Sequence, residues 1–507
     1  MKQDRREFLA KSCGALSMAA MASQMRHFGM MSVAAQSSAK EDSPSVPSDY
    51  RALVCIFLQG GNDGNNTIIS NHTVGSTNTY NNYSTARSGQ GLALTQAQLN
   101  STQILVPRIG NLAYALHPNL GILTQNGTTI INNGIHELWA AGKLAAVTNV
   151  GTLVTPTTRT TYLNGSVPKP FQLFSHSDQV SQYQSGRSDA QSFTGWGGRI
   201  SDLRTPIDNP PPGGLIPMVT SIAGAQLFTN GVTTLPLAIA AAPTLLSAVL
   251  APAGFGTPPA GANLARLNAF NALRTQDLNA KYIEAASKVT NAAMDANNAL
   301  QTPPAFNPTF PNTSIGNQLK QISLLIQKRT DLSINRQIFY AQIGGFDTHT
   351  NQITNQGNLL TQLSQGMRAF YDEMIRQGLG DKVTQFTMAD FSRTLNPAGT
   401  GAGVVGSDHA WGNHMFVVGG GITGSDFYGM NGANGTPFPQ LSFNTADDSD
   451  NGSGARGRWV PATSVEQYAA TLARWFGVPD ANLPTVFPKI GNFGANTNLG
   501  FMQPPAP

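Results

Sequence analysis

Arg336–Asp390 reads RQIFYAQIGGFDTHTNQITNQGNLLTQLSQGMRAFYDEMIRQGLGDKVTQFTMAD. An apolar run at Arg336–Ile343 is stopped by Gly344-Gly345, an amphipathic helix is expected over Asn355–Gln377, and a second apolar run follows at Lys382–Met388. Strand, helix and strand joined at this length make a right-handed βαβ crossover, which requires parallel strands in one sheet. Asp347 and His349 follow the first strand and Asp390 ends the second. All three therefore fall on the carboxyl edge of the sheet, where open α/β sheets hold their ligands. A Gly-rich loop then carries Asp408, His409 and His414 up to a third apolar run, Met415–Val418, which Gly419–Gly421 end.

Upstream, Leu53–Leu58 has the continuous apolar character of a strand buried on both faces. It opens into GGNDGNNTIIS, which puts Asp63 and Asn66 at the same kind of strand end; as a bare motif it is equally an Asx turn. Lys143–Val150 is another strand. Phe174–Gly186, FSHSDQVSQYQSG, gathers Ser175, His176, Ser177 and Asp178 at a helix start, with Thr194–Arg199, TGWGGR, beyond it. Ser175 there is a nucleophile, an anion-binding position or an N-cap. His117 and His136 read as capping or packing residues.

Residues 71–103 are Asn/Ser/Thr-rich and read as a surface excursion, and 209–261 as an inserted Pro/Ala/Gly-rich subdomain. Leu264–Leu300 reads as one long exposed helix and Ile315–Thr330 as an amphipathic one. Ser464 and Gln467 form a capping box for a helix over Ser464–Val478, and 491–507 read as a frayed tail.

Charged residues make up only 11% of the chain, under half of the roughly 25% usual in soluble domains. The formal charge of +4 falls to +1 once residues 1–35, with five basic and two acidic residues, are set aside. No basic stripe remains to bind nucleic acid. Asp4–Lys11, DRREFLAK, leads into an Ala/Met-rich run and Val33-Ala34-Ala35, the pattern of a twin-arginine signal peptide over residues 1–35. The run is too short and interrupted to span a bilayer, so no stable membrane anchor is expected. Residues 36–50 form a polar linker, and one α/β domain is expected over 51–490. The expected partner for export is the twin-arginine translocation machinery, and the destination periplasmic or extracellular. Cys13 lies in the leader, which leaves Cys55 without a disulfide partner.

Asp63, Asp347, His349, Asp390, Asp408, His409 and His414 together offer carboxylate and imidazole donors. That set suits Zn²⁺ or Mn²⁺, with Mg²⁺ or Ca²⁺ at an all-oxygen subsite. The motifs LVCIFLQGGNDGNN, FSHSDQ, GWGGR, GGFDTH, FTMADFSRT, GSDHAWGNHMFVVGGGITG and RGRWVPATSVEQYAATLARWFGV resemble, in that order, the domain-of-unknown-function 1501 family over roughly residues 51–480. That family is similar in pattern to the alkaline phosphatase and sulfatase superfamily. The resemblance implies a mixed, mostly parallel α/β sheet with helices on both faces, a two-metal site and hydrolysis of a small anionic ester.

By the same resemblance Asp63 is the first metal ligand and Ser175 the candidate nucleophile, a role for which Ser177 and Thr194 compete, while Asp347 and His349 serve one metal and Asp390, Asp408, His409 and His414 complete the set. Arg393 or Arg199 would bind the anion, and Asn66 and His176 are further substrate contacts. The spacing departs from the superfamily: Asp347 and His349 are D-x-H, and Asp390 precedes Phe391 where a His is usual. Either Asp408-His409 takes over the paired role or one metal site is degraded. Two functions follow as expectations: an exported metal-dependent phosphate- or sulfate-ester hydrolase, or a non-catalytic exported protein that keeps the fold for cell-surface or secretion assembly or ligand binding.

Overall fold

The apolar runs become strands in the computed structural model, which describes residues 49–504 apart from 123, 126–127, 130–133, 210–213, 252–253, 257–258, 274, 277, 280, 303–309 and 400–402. In chain order the strands are β1 (Arg51–Leu58), β2 (Ile68–Ser70), β3 (Gln103–Val106), β4 (Leu112–Leu116), β5 (Thr124–Gln125), β6 (Thr128–Thr129) and β7 (Leu144–Gly151). They continue with β8 (Val219–Ser221), β9 (Leu237–Ala238), β10 (Arg336–Ile343), β11 (Val383–Ala389), β12 (Asn413–Gly419), β13 (Phe427–Tyr428) and β14 (Thr463–Ser464). The longer helices are α1 (Tyr80–Arg87), α2 (Arg159–Asn164), α3 (His176–Ser185), α4 (Trp196–Asp208), α5 (Gly261–Leu273), α6 (Lys281–Ala299), α7 (Ser314–Gln327), α8 (Gln352–Arg376) and α9 (Val465–Phe476).

The main sheet has nine strands in the order β13-β7-β12-β11-β1-β10-β8-β9, with β14 also paired to β7. Only β12 in that sheet runs against its neighbours, antiparallel to β11 and β7; β10 and β11 both pair parallel with β1. The crossover from β10 through α8 to β11 therefore straddles β1, whose eight residues are all buried. A strand enclosed by neighbours and by both faces needs apolar side chains throughout, which explains its unbroken apolar run.

Adjacent residues of β11 show the two covered faces, because successive side chains in a strand point opposite ways. Gln385 donates to the Met367 carbonyl on α8. Phe386 packs instead on Trp196 of α4 and Tyr468 of α9, with ring centroids 5.5 and 6.2 Å apart. The sheet is thus α/β, mixed and mostly parallel, with helices on both sides.

Several segments differ from the sequence reading. Residues 71–103 hold α1 and lead into β3, which joins β2 and β4 in a small antiparallel sheet. The expected long helix over 264–300 is divided between α5 and α6. Within 209–261, β8 and β9 extend the main sheet at its edge. The tail is held down: Phe501 is fully buried, and the Gln503 amide donates to the Gly421 carbonyl at 3.0 Å. The expected signal peptide and nearly all of the expected linker lie outside the described residues. No helix among the described residues is long and apolar enough to cross a membrane.

Glu466, in the first turn of α9, is enclosed in this core. Burial pushes its carboxyl up to about 8, against the opposing pull of its own amide and the Ser464 hydroxyl. The folded protein therefore keeps a proton there that the unfolded chain has already lost above its ordinary value of 4.5. This stabilisation is complete below the unfolded value and disappears as pH rises through the folded one. Glu466→Gln should be the more stable protein at pH 9, with its advantage shrinking steadily towards pH 5. Thermal melts of both proteins across that range check this, and parallel curves would refute it.

Candidate metal centre

Every residue of the centre comes from one edge of the sheet. β10 ends just before Asp347 and His349, β11 just before Asp390, and the antiparallel β12 begins just after His409. β7 points to the same edge, and after a connection that includes α2 the chain starts α3 at His176. His176, Asp347 and His409 form a group that could hold a metal ion, with one donor atom from each lying within 4.8 Å of the others.

The individual separations suit a shared ion. His409 Nε2 is 3.1 Å from His176 Nε2 and 3.1 Å from His349 Nε2. Asp347 Oδ1 lies 3.4, 3.0 and 3.6 Å from Nε2 of His176, His349 and His409. A tetrahedral ion with bonds of about 2.0–2.1 Å sets its donors about 3.3–3.4 Å apart. Two triangles of donors with those edges share the Asp347–His409 side.

The outer ring nitrogens explain why the inner ones face inward. His409 Nδ1 is 3.0 Å from the Phe174 carbonyl, which can only accept, so Nδ1 carries the proton. His176 Nδ1 is likewise 2.7 Å from Asp390 Oδ2, while Asp390 Oδ1 accepts the Gly60 amide at 3.1 Å. His349 Nδ1 faces Asp408 Oδ1 at 3.4 Å, and Arg456 holds Asp408 at 2.7 Å. His409 thus turns an unprotonated Nε2 towards the Nε2 atoms of His176 and His349 at 3.1 Å, and the Arg393 guanidinium stands 3.4 Å from His349 Nε2. Ring nitrogens and a carboxylate oxygen so placed could share a cation, and outer carboxylates and carbonyls on Nδ1 are the usual support of metal-binding histidines.

The two imidazoles are shifted in opposite directions. The Asp390 hydrogen bond raises the His176 imidazole above its ordinary value despite partial burial. Burial lowers His409, and the Phe174 carbonyl only partly offsets it. Burial also works against Asp347, but the Arg393 hydrogen bond and charge prevail and hold its carboxyl below the ordinary range.

Backbone geometry brings these pieces together. Gly60 has φ +111°, and a Cβ there would stand 2.4 Å from the Asp347 amide nitrogen. A Cβ on Gly406 would stand 2.2 Å from the His349 carbonyl carbon. Phe174 is left-handed at φ +74°, a conformation that costs an ordinary side chain about 1–3 kcal/mol and gathers at functional sites. Here it turns the carbonyl to His409.

Other expected site residues serve elsewhere. Asp63 is removed from the ligand set: it is fully enclosed, paired to Arg87, and accepts from the Asn65 amide at 3.0 Å and from Gln352 at 2.5 Å. His414 is buried, accepts the Asn149 amide at 3.2 Å and stacks on Phe438, and burial drives its pKa down to about 3. Asn66 donates to the Leu92 carbonyl and accepts the Tyr83 hydroxyl. Arg199 spends its donors on the Val486, Thr194 and Ser185 carbonyls, with no reach to an anion. Arg393 is fully buried and bonds Asp347 and four backbone carbonyls, and its Nη1 also lies 3.4 Å from His349 Nε2, so it positions the donors themselves. Ser175 Oγ donates to Asp178 Oδ2 at 2.6 Å. His176, expected as a substrate contact, is instead a member of the donor group.

Comparison with curated proteins finds no match. Residues 262–440, the stretch that carries β10, β11, β12 and their donors, match the model of the family described as "Protein of unknown function (DUF1501)".

Proposed function

We propose that the protein is an exported, metal-dependent hydrolase of phosphate or sulfate esters, working in the periplasm or outside the cell. The observation that supports this most is the inward convergence of three imidazole Nε2 atoms and Asp347 Oδ1, each imidazole backed by an outer acceptor. His176, His349, His409 and Asp347 would hold the ion, and a donor set with three nitrogens favours Zn²⁺ or Mn²⁺ over Mg²⁺ or Ca²⁺. When bound, such an ion supplies Lewis-acid polarisation of an ester oxygen.

The chain's own groups would do the rest. Arg393 fixes Asp347, and Asp390 and the Phe174 carbonyl keep the protons on the outer nitrogens of His176 and His409. Ser175, next in sequence to His176, already gives its hydroxyl proton to a carboxylate at 2.6 Å, the pairing a nucleophilic hydroxyl needs. With Asp63 neutralised by Arg87, one ion per chain is the expectation in place of two.

A non-catalytic metal-holding protein of a cell-surface or secretion assembly is the second reading. It is favoured by Arg393, whose donors are consumed by the chain and leave no guanidinium for an anion. Elemental analysis of chelator-free protein should give about one equivalent of Zn or Mn, lost in His176→Ala and His409→Ala. A panel of phosphate and sulfate esters then separates the two readings. Folded, metal-free wild type would end both.

A further inference from the structure

A second, small apolar cluster lies against the metal centre, apart from the main core. Trp411, two residues beyond His409, is buried in it with Leu153, Val460 and Phe493, while Tyr162, Leu173 and Phe174 cover it and stay partly open to solvent. The Tyr162 ring lies 5.3 Å from Trp411. The cluster is continuous with the centre through two residues: Phe174 gives its carbonyl to His409, and Trp411 shares the His409 loop.

Two cations edge this shelf. The exposed Lys169 ammonium sits 4.1 Å from the centre of the Tyr162 ring and makes no ion pair among the described residues. The Arg458 guanidinium lies 5.4 Å from the Phe174 ring, donates to the His409 carbonyl at 2.7 Å and is paired with Asp450 at 2.9 Å. Phe174 holds its place at a backbone angle that an L side chain rarely adopts, and only the peptide carbonyl is needed to support His409. The Phe174 ring packs on the cluster beside Tyr162 and Leu173 and leaves part of its surface open to solvent.

We propose that the shelf of Tyr162, Leu173 and Phe174 seats the organic group of the substrate, and that this group is flat and apolar, so that the site takes aryl esters in preference to small alkyl ones. This rests on the ester-hydrolase reading of the metal centre. Part of an aromatic ring laid on Tyr162 and Phe174 leaves water, and the Lys169 ammonium at the rim favours an anionic ligand. A half-covered ring corresponds to about a tenfold gain in affinity over a methyl group.

The test uses two inert anions and needs no turnover. Zn-loaded protein is titrated calorimetrically with phenylphosphonate and with methylphosphonate. Phenylphosphonate should bind about tenfold tighter. Tyr162→Ala should erase that preference, leave methylphosphonate binding unchanged and keep the metal content of the wild type. Equal affinities in the wild type, or a preference that survives Tyr162→Ala, overturns the shelf while leaving the metal centre standing. If neither anion binds the Zn-loaded protein, or both still bind metal-free His409→Ala, the ester-hydrolase reading falls and the shelf with it.

Discussion

Arg87→Ala should cost about 3–5 kcal/mol, a large share of the roughly 5–15 kcal/mol that holds a folded domain together. The Arg87 and Asp63 side chains are both wholly shut off from water and paired with each other. Truncation removes the guanidinium, which also donates to the Leu395 carbonyl at 3.2 Å, and strands a carboxylate in the interior. The remaining donors on Asp63, the Asn65 amide and the Gln352 side chain, are neutral and cannot balance its charge. Arg87→Met combined with Asp63→Asn should recover most of the loss, because replacing a buried pair by uncharged groups is far less costly than breaking it. Urea unfolding followed by the fluorescence of buried Trp196, Trp411 and Trp459 reads both effects. Folded protein of either kind should take up zinc as the wild type does in titration, since neither residue belongs to the donor group. A cost under about 1 kcal/mol, the size of an exposed pair, would sink the argument.

That pair also marks where the sequence could be read and where it could not. Apolar runs ending in Gly-rich turns locate β1, β10, β11 and β12, and with them the edge on which Asp347, His349, Asp390 and His409 meet. The strand order around them is set by pairings among distant segments; nothing local in Leu144–Gly151 shows that β7 neighbours β12 or sends His176 to the centre. His176 was legible as a polar residue at a helix start, and its role as a donor depends on Asp390, 214 positions away.

Asp63 failed for a matching reason. Its place after β1 is that of a ligand, but the cation that occupies it is Arg87, from a Ser/Asn-rich stretch that resembles surface. His414 sits beside an apolar run and looks like a loop ligand, yet it belongs to β12 itself and points into the core beside Phe438. Side-chain type and strand-end position carry the outline of a site, and burial decides which members remain available to an ion.

Arg393→Met should be the most damaging substitution at the centre, at roughly 4 kcal/mol or more. The guanidinium is fully buried and is the donor to four backbone carbonyls, those of Gly60, Gly61, Phe346 and Ser407. Three of the four lie on the loops that follow β1 and β10, so this one side chain ties the two loops together under the donors. Methionine fills the volume without supplying a donor, and each carbonyl left unpaired costs on the order of 1–3 kcal/mol. Asp347 would also lose the charge that holds its carboxyl below the ordinary range. Lysine would not rescue, because three donors on a single nitrogen cannot span what the planar fork reaches. The measurement is again urea unfolding, paired with zinc titration of whatever folded protein accumulates. Arg393→Met and Arg393→Lys should both unfold early, and surviving folded protein should bind zinc more weakly than the wild type. Wild-type stability in either variant would mean that the loops hold without this guanidinium. Unchanged zinc affinity would show that Arg393 is scaffold alone and that Asp347 reaches the ion without its help.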